Sequence, residues 1–158
     1  AAAMIPALAG RSPGRLTFVY GGQGAQRPGM ALALARALPV FADALEGAAA
    51  ALRAVSGGPH LLDELAAGPG PERLADPRFA QAATFALQVA LTETLRAWGL
   101  RPALVFGHSV GELAAAWAAG ALTLAECALV LHARGEALAA AAGAGDLALL
   151  RAPAALAR

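Results

Sequence analysis

The sequence contains no lysine, a single cysteine, no basic run and no apolar stretch long enough to cross a bilayer. Each shortage excludes a class of protein. With Cys127 alone, an intrachain disulfide and a cysteine-built metal site are ruled out, and a reducing, cytoplasmic setting is the compatible one. All twelve basic residues are arginine, and against eleven acids they leave a net charge of +1. They are spread along the chain, so there is no electrostatic footprint for nucleic acid. Hydrophobic residues make up 58% and mean hydropathy is +0.57, values that would suit a membrane protein. Alanine supplies much of that excess, however, and Arg, Glu or Gly breaks the longest apolar stretches well before the roughly 20 residues that a span requires. A soluble protein without membrane contact is expected. The first residues, AAAMIPALAGRSPGR, lack the charged segment followed by an apolar run that marks a secretory signal. Residues 1–15 read as a linker, and a start on alanine fits a segment of a longer polypeptide. At 158 residues the chain can bury one real core but not two.

What is present is an alternation of short apolar runs with longer helical patterns. Leu16 to Tyr20 is β-branched and aromatic and stops at Gly21-Gly22, which predicts a buried strand followed by the loop Gly21-Gly22-Gln23-Gly24-Ala25-Gln26. Helices are predicted over 30–38, from Pro39 to about Ser56, and over 61–67, with Gly68-Pro69-Gly70-Pro71 as a loop. Asp76-Pro77 offers an N-cap and a first helical residue. From Phe79 to Trp98 the residues Phe79, Ala82, Ala83, Ala86, Leu87, Ala90, Leu91 and Leu95 recur at helical spacing, predicting a long, largely buried helix that ends at Gly99. A strand at 103–107, a helix from Val110 to about Ala119 stopped by Gly120, and a helix capped by Thr123-x-x-Glu126 and running to about Ala142 complete the pattern. Residues 146–150 read as a further strand. This order is that of an α/β domain with a parallel sheet, and no internal repeat is visible.

The chemistry centres on Gly107-His108-Ser109-Val110-Gly111, a G-x-S-x-G sequence with a strand before it and a helix after it. Such a stretch can be a plain glycine-bounded turn. In this context it is better read as a nucleophile elbow, with the glycines allowing a tight turn and the backbone N–H groups of the following helix facing any charge that develops beside the Ser109 hydroxyl. A serine nucleophile needs a base. His108 should point away from Ser109 if strand alternation continues, His60 lies in a Gly/Pro-flanked loop, and His132 sits within a later helix. His132 is the best placed of the three, but no acid precedes it in the order a hydrolase would use. On the helix after Thr123, Cys127, Leu131, Arg134 and Leu138 share one face. An arginine there must be paired or must line a polar cavity. Pairing with Glu136 or Glu112 and a bidentate carboxylate clamp are equally compatible with the spacing. Cys127 reads as a small core residue.

Phe18-Val19-Tyr20-Gly21-Gly22-Gln23-Gly24-Ala25-Gln26, Ala80-Gln81, Gly107-His108-Ser109-Val110-Gly111-Glu112 and Arg134, in this order, resemble the acyltransferase domain of polyketide and fatty acid synthases, the malonyl-CoA:acyl carrier protein transacylase family. The resemblance runs from Leu16 almost to the end of the chain. It implies that Ser109 takes an acyl group from coenzyme A as an ester and passes it to the phosphopantetheine thiol of an acyl carrier protein, with no bound cofactor. Gln23 and the Val110 N–H would form the oxyanion hole, Arg134 would hold the malonyl carboxylate, and Gln81 and His108 would line the substrate site. An aliphatic residue after the serine is more usual in malonyl-type domains, so Val110 favours malonyl. Neighbouring synthase domains such as a ketosynthase would be partners.

The resemblance also implies an α/β-hydrolase-like large subdomain with a parallel sheet, present in part over 16–145. Residues 146–158 would begin a ferredoxin-like small subdomain that is otherwise absent. Family members carry their catalytic histidine well beyond this point, so the chain reads as the N-terminal part of an acyltransferase. Ala82 stands where proline is usual, Leu113 where an aromatic is common, and Gly21-Gly22 where Pro-Gly or Ser-Gly is frequent. The alternatives are a serine esterase of the α/β-hydrolase type, and an inactive docking or structural remnant of a synthase.

Overall fold

The computed structural model describes residues 15–145. The expected strand at 146–150, the start of a small subdomain at 146–158 and nearly all of the expected linker at 1–15 lie outside these residues. The elements in chain order are β1 (Thr17–Tyr20), α1 (Leu32–Ala37), α2 (Pro39–Ser56), α3 (Leu61–Ala67), α4 (Pro71–Ala75), α5 (Pro77–Ala97), β2 (Leu104–Gly107), α6 (Gly111–Ala118) and α7 (Leu124–Ala140). The strands pair in parallel with Thr17 opposite Leu104 and Tyr20 opposite Gly107. The architecture is therefore α/β with a short parallel sheet. Because the strands run the same way, their carboxyl ends finish together, and the Gly21–Gln26 loop leaves the sheet beside the Gly107–Gly111 turn. Ligands of parallel α/β sheets gather at this end.

Most helix boundaries follow local chemistry. Pro39 opens α2, and Gly57, at a φ of 63°, closes it in the left-handed conformation that costs glycine nothing. Thr123 and Glu126 form a reciprocal capping box on α7, the Thr123 hydroxyl accepting from the Glu126 N–H at 3.2 Å and the Glu126 carboxylate accepting from the Thr123 N–H at 2.8 Å. One expectation needs correction. Pro71 does not simply end a loop but starts the short helix α4, since proline is pre-set for a first helical position.

The core gathers round α5, which packs against α2, α6 and α7 and buries Phe79, Phe85, Val89 and four alanines. Its buried face takes in Phe79, Ala83, Ala86 and Ala90, as apolar spacing outlined, but is wider than that spacing and shifted to one side. Leu91 is exposed, whereas Gln81, Thr84, Thr92 and Thr94 are buried. The threonines can go inside because they are satisfied locally. Thr92 donates to the Gln88 carbonyl at 2.7 Å and Thr94 to the Ala90 carbonyl at 2.8 Å, so each hydroxyl is buried without losing its hydrogen bond. The Thr92 hydroxyl is also 2.9 Å from the Tyr20 hydroxyl, tying β1 to α5. Nor is the sheet buried on both faces. Phe18, Tyr20 and Val105 face the core, while Val19 is 70% exposed and Phe106 62%. Side chains alternate across a strand, and among the described residues only one face of this sheet is covered.

Asp76 fixes the start of α5. Its carboxylate accepts from the Arg78 N–H at 2.9 Å and pairs with the guanidinium groups of Arg78 at 3.0 Å and Arg73 at 2.9 Å. The Arg78 side-chain hydrogen bond is the main cause that holds its pKa below the usual carboxylate range. The stabilisation is complete above the unfolded-state value near pH 4 and is lost as pH falls through the lower folded-state value. Asp76→Ala should cost about 1 kcal/mol in urea denaturation at pH 7, and Asp76→Asn, which keeps the cap acceptor, should cost less. The difference between wild type and Asp76→Asn should shrink as pH falls below about 4. A difference that stays constant down to pH 2 would remove the charged contribution.

Candidate active site

The turn after β2 is held by backbone contacts that leave no room for side chains at two positions. A Cβ on Gly107 would collide with the Gly111 carbonyl and the Glu112 nitrogen, and one on Gly111 would collide with the Tyr20 carbonyl and lie 2.7 Å from the Gly21 oxygen. Neither glycine has a positive φ. What each needs is the missing side chain, and the positive φ falls on Ser109 at 57°. A left-handed serine between strand and helix is the backbone of a nucleophile elbow, and the surrounding close packing holds it there.

Gly22 packs against both residues of the turn, with the His108 Nδ1 and the Ser109 Cβ at 3.1 and 3.3 Å from where a Gly22 Cβ would sit. Strand alternation, on which the expectation for His108 rested, ends at the left-handed Ser109. The His108 N–H donates to the Tyr20 carbonyl at 3.0 Å and so continues the sheet ladder by one rung.

Arg134 reaches this turn from α7 and donates from Nη2 to the Ser109 Oγ at 2.9 Å. No carboxylate lies within 4 Å of its guanidinium among the described residues. Neither candidate for pairing is engaged with it, and Glu136 instead approaches Arg78 at 3.9 Å. The α7 face differs in one respect from the expected stripe. Cys127, Ala128, Leu131 and Gly135 are buried, but Leu138 is exposed and Arg134 is half-buried at the border. Arg134 is thus partly desolvated yet open on one side, where a guanidinium can meet an incoming anion. Cys127 is a core residue whose thiol burial pushes up to about 11, so it is neutral at physiological pH and no rival nucleophile.

The other histidines are elsewhere. His60 faces Glu46 at 3.2 Å. His132 lies two residues before Arg134, roughly 200° round the helix, and borders a cavity of about 360 Å³ with Arg53, Arg78 and Glu136. Among the described residues no histidine bonds the Ser109 hydroxyl, and its one side-chain partner is Arg134.

Gln23 is exposed in the loop one residue after Gly22, and neither its backbone N–H nor that of Val110 has a partner among the described residues. The Val110 side chain is wholly buried, which anchors the start of α6. Gln26 secures the loop from within, accepting from the Gly24 N–H at 2.6 Å and donating to the Leu74 carbonyl at 2.9 Å. Gln81 is 1% exposed, and both ends of its amide lack a partner. No hydrogen bond joins it to Ser109 or Arg134. Sequence reasoning missed Gln88, which donates from Nε2 to the Gly21 carbonyl at 2.7 Å. The available signal was a polar residue seven positions after Gln81, on the same face of α5.

Comparison with known proteins places this arrangement in context. The family model described as acyl transferase domain matches residues 17–157. A type I polyketide synthase of phenolphthiocerol synthesis from Mycobacterium marinum is 47% identical over 128 residues, 79% of this chain and 6% of that protein. A spectinabilin polyketide synthase system protein from Streptomyces orinoci is 44% identical over 142 residues, 88% of this chain and 6% of its own length. Among solved structures, the acyltransferase domain from the second module of the salinomycin polyketide synthase has a TM-score of 0.74 at 41% identity, covering 82% of this chain and 30% of that one. A malonyl-transacylase in complex with the holo acyl-carrier protein of a type II polyketide synthase gives 0.70 at 31% identity, with 81% and 40% covered. The chain thus spans 6% of these two curated relatives and 30 to 40% of these two solved chains.

The glycines make a graded prediction. Gly111→Ala sets a methyl against two backbone carbonyls that cannot yield, and should destabilise the protein by about 3 kcal/mol or more in urea denaturation. Gly22→Ala meets only side chains and should cost about 1 kcal/mol. Equal stabilities for the two variants would contradict the close-approach reading.

Proposed function

The chain belongs to the acyl transferase domain family, and from that premise we propose that it transfers an acyl group, malonyl by preference, from coenzyme A to an acyl carrier protein through an ester on Ser109. The Ser109 oxygen attacks the thioester carbonyl, the carbon–sulfur bond breaks, and coenzyme A leaves as its thiol. The phosphopantetheine thiol of the carrier protein then attacks the ester, and the serine hydroxyl is regenerated. In each step the carbonyl oxygen gains negative charge, and the proposed acceptors of that charge are the N–H groups of Gln23 and Val110, which bond no other group among the described residues. No histidine among the described residues bonds the Ser109 hydroxyl, and the proton acceptor that the resemblance implies is a histidine outside them.

The observation that carries this reading is the 2.9 Å contact from Arg134 to the Ser109 oxygen. A malonyl group esterified at Ser109 has its free carboxylate three bonds from that oxygen, within reach of a guanidinium already at the nucleophile. A charge-assisted pair there would hold the acyl group while the carbonyl reacts. An uncharged acyl group would leave the guanidinium without its anion, so the arginine favours a dicarboxylic acyl unit. Val110 after the serine agrees with malonyl. Gln81 and His108 are proposed to line the acyl site, with residues 16–145 as part of the large subdomain and 146–158 as the beginning of the small one. The carrier protein as partner is supported by the similar transacylase solved with one, and neighbouring synthase domains, a ketosynthase among them, by the polyketide synthase relatives. A cytoplasmic setting fits the single cysteine. Among the described residues no helix is long and apolar enough to cross a membrane.

In the polypeptide that carries these residues, incubation with malonyl-CoA should add one malonyl ester at Ser109 by intact-mass measurement, and Ser109→Ala should abolish it. Arg134→Ala should lower the rate of malonyl loading by about tenfold to a hundredfold, the loss expected for one charged hydrogen bond, and leave acetyl loading nearly unchanged. Equal losses for the two acyl groups would sink the clamp, and absence of any adduct would favour a structural role in a synthase.

A further inference from the structure

We infer that Gln88 is a positioning residue which sets the orientation of the Gly21–Gly22 peptide and, through it, the placement of Gln23 beside Ser109; the inference rests on the catalytic reading above. The loop between β1 and α1 has to approach the elbow closely without a side chain at Gly22, where a Cβ would press on His108 and Ser109. A glycine pair has many backbone conformations to choose from, so close approach alone does not select one. Two hydrogen bonds make the selection. The Tyr20 carbonyl turns toward β2 and accepts from the His108 N–H at 3.0 Å. The next carbonyl, that of Gly21, accepts from the Gln88 Nε2 at 2.7 Å and so points to α5.

In a trans peptide the C=O and N–H are opposed, and no peptide bond among the described residues is cis. With the Gly21 carbonyl held toward α5, the Gly22 N–H is turned away from that helix. The chain then leaves Gly22 in a fixed direction, and Gln23 is the next residue. Gln88 is itself fixed. Its backbone carbonyl accepts from Thr92 at 2.7 Å, Thr92 is bonded to the Tyr20 hydroxyl at 2.9 Å, and Tyr20 precedes Gly21. The links form a closed ring of hydrogen bonds and chain joining the end of β1 to two turns of α5. The Gln88 Oε1 is buried without a partner among the described residues. The one hydrogen bond this side chain makes is therefore its donation to Gly21, and a reversed amide would set oxygen against oxygen. Tyr20, at the head of the ring, stays a neutral donor because burial is the main influence on its phenol and pushes its pKa up.

The test substitutes Gln88→Met, which keeps length and apolar bulk and removes the donor. Thr94→Val serves as comparison, since Thr94 is buried on the same helix but bonds only the Ala90 carbonyl. Two measurements are made on the polypeptide that carries these residues: the carbonyl and amide chemical shifts of Gly21, Gly22 and Gln23 in isotopically labelled protein, and the rate at which a fluorophosphonate probe phosphonylates the Ser109 oxygen with loss of fluoride. Gln88→Met should move the Gly21 carbonyl resonance upfield and shift the Gly22 and Gln23 amides. It should also lower the maximal labelling rate about tenfold to a hundredfold with little change in the probe concentration giving half that rate, the pattern of a misplaced reacting group. Thr94→Val should lower the melting temperature and change neither reading. Unmoved Gly21 and Gly22 resonances in Gln88→Met would overturn the proposal, as would moved resonances with an unchanged labelling rate. A wild-type Ser109 that the probe does not label would instead count against the catalytic reading, and the resonances alone would then decide whether Gln88 sets the peptide.

Discussion

The site depends on the close passage of two backbones where β1 and β2 end. Tyr20 and Gly107 lie opposite each other in the ladder, and the chain then turns so that Gly111 passes against the Tyr20 and Gly21 carbonyls. A side chain at Gly111 would push the start of α6 away from β1, and a side chain at Gly107 would push it away from β2. Everything functional hangs on that passage. It puts Ser109 into its left-handed conformation, brings Gly22 against the serine, and leaves the N–H groups of Val110 and Gln23 without partners among the described residues.

The second support is α5, which does two kinds of work. It supplies Phe79, Phe85 and Val89 to the core, each worth about 1.5–3 kcal/mol on burial. It also carries Gln81, Gln88 and Thr92 at intervals of seven and four residues, one line along the helix. The upper part of that line bonds the loop that leaves β1, and the lower part ends in the unsatisfied amide of Gln81. Leaving a buried amide unbonded costs stability, and polar groups placed at such cost concentrate where a protein does chemistry.

Electrostatics completes the picture. Arg73 and Arg78 are committed to Glu64 and Asp76, where they hold the helix starts together. Arg134 is bonded to an uncharged hydroxyl and has no anion within ion-pair distance among the described residues. A guanidinium keeps its charge at any physiological pH, so the one beside Ser109 remains available to a carboxylate. The spacing of α7 left that residue balanced between a structural pair and a clamp, since a helix face states which side a residue is on but not what crosses the gap to meet it. Leu138 shows the same limit from the other direction, belonging to the apolar stripe and yet lying in solvent.

Local chemistry was sufficient for the elements: Pro39, Asp76-Pro77, Thr123 with Glu126, and the glycines at 57 and 120 state where helices begin and stop, because caps and positive φ values involve only neighbours in the chain. The elbow was legible for the same reason, being five consecutive residues between a strand and a helix. Tertiary structure alone decided how far the buried face of α5 extends, since a threonine bonded to its own helix buries as readily as an apolar residue. It alone set His108 and Ser109 against Gly22, and left one face of the sheet open among the described residues. It alone brought Arg134, 25 residues away, and Gln88, 67 residues from Gly21, to the ends of the two strands. Those contacts join elements far apart in the chain, and no pattern within either element specifies them.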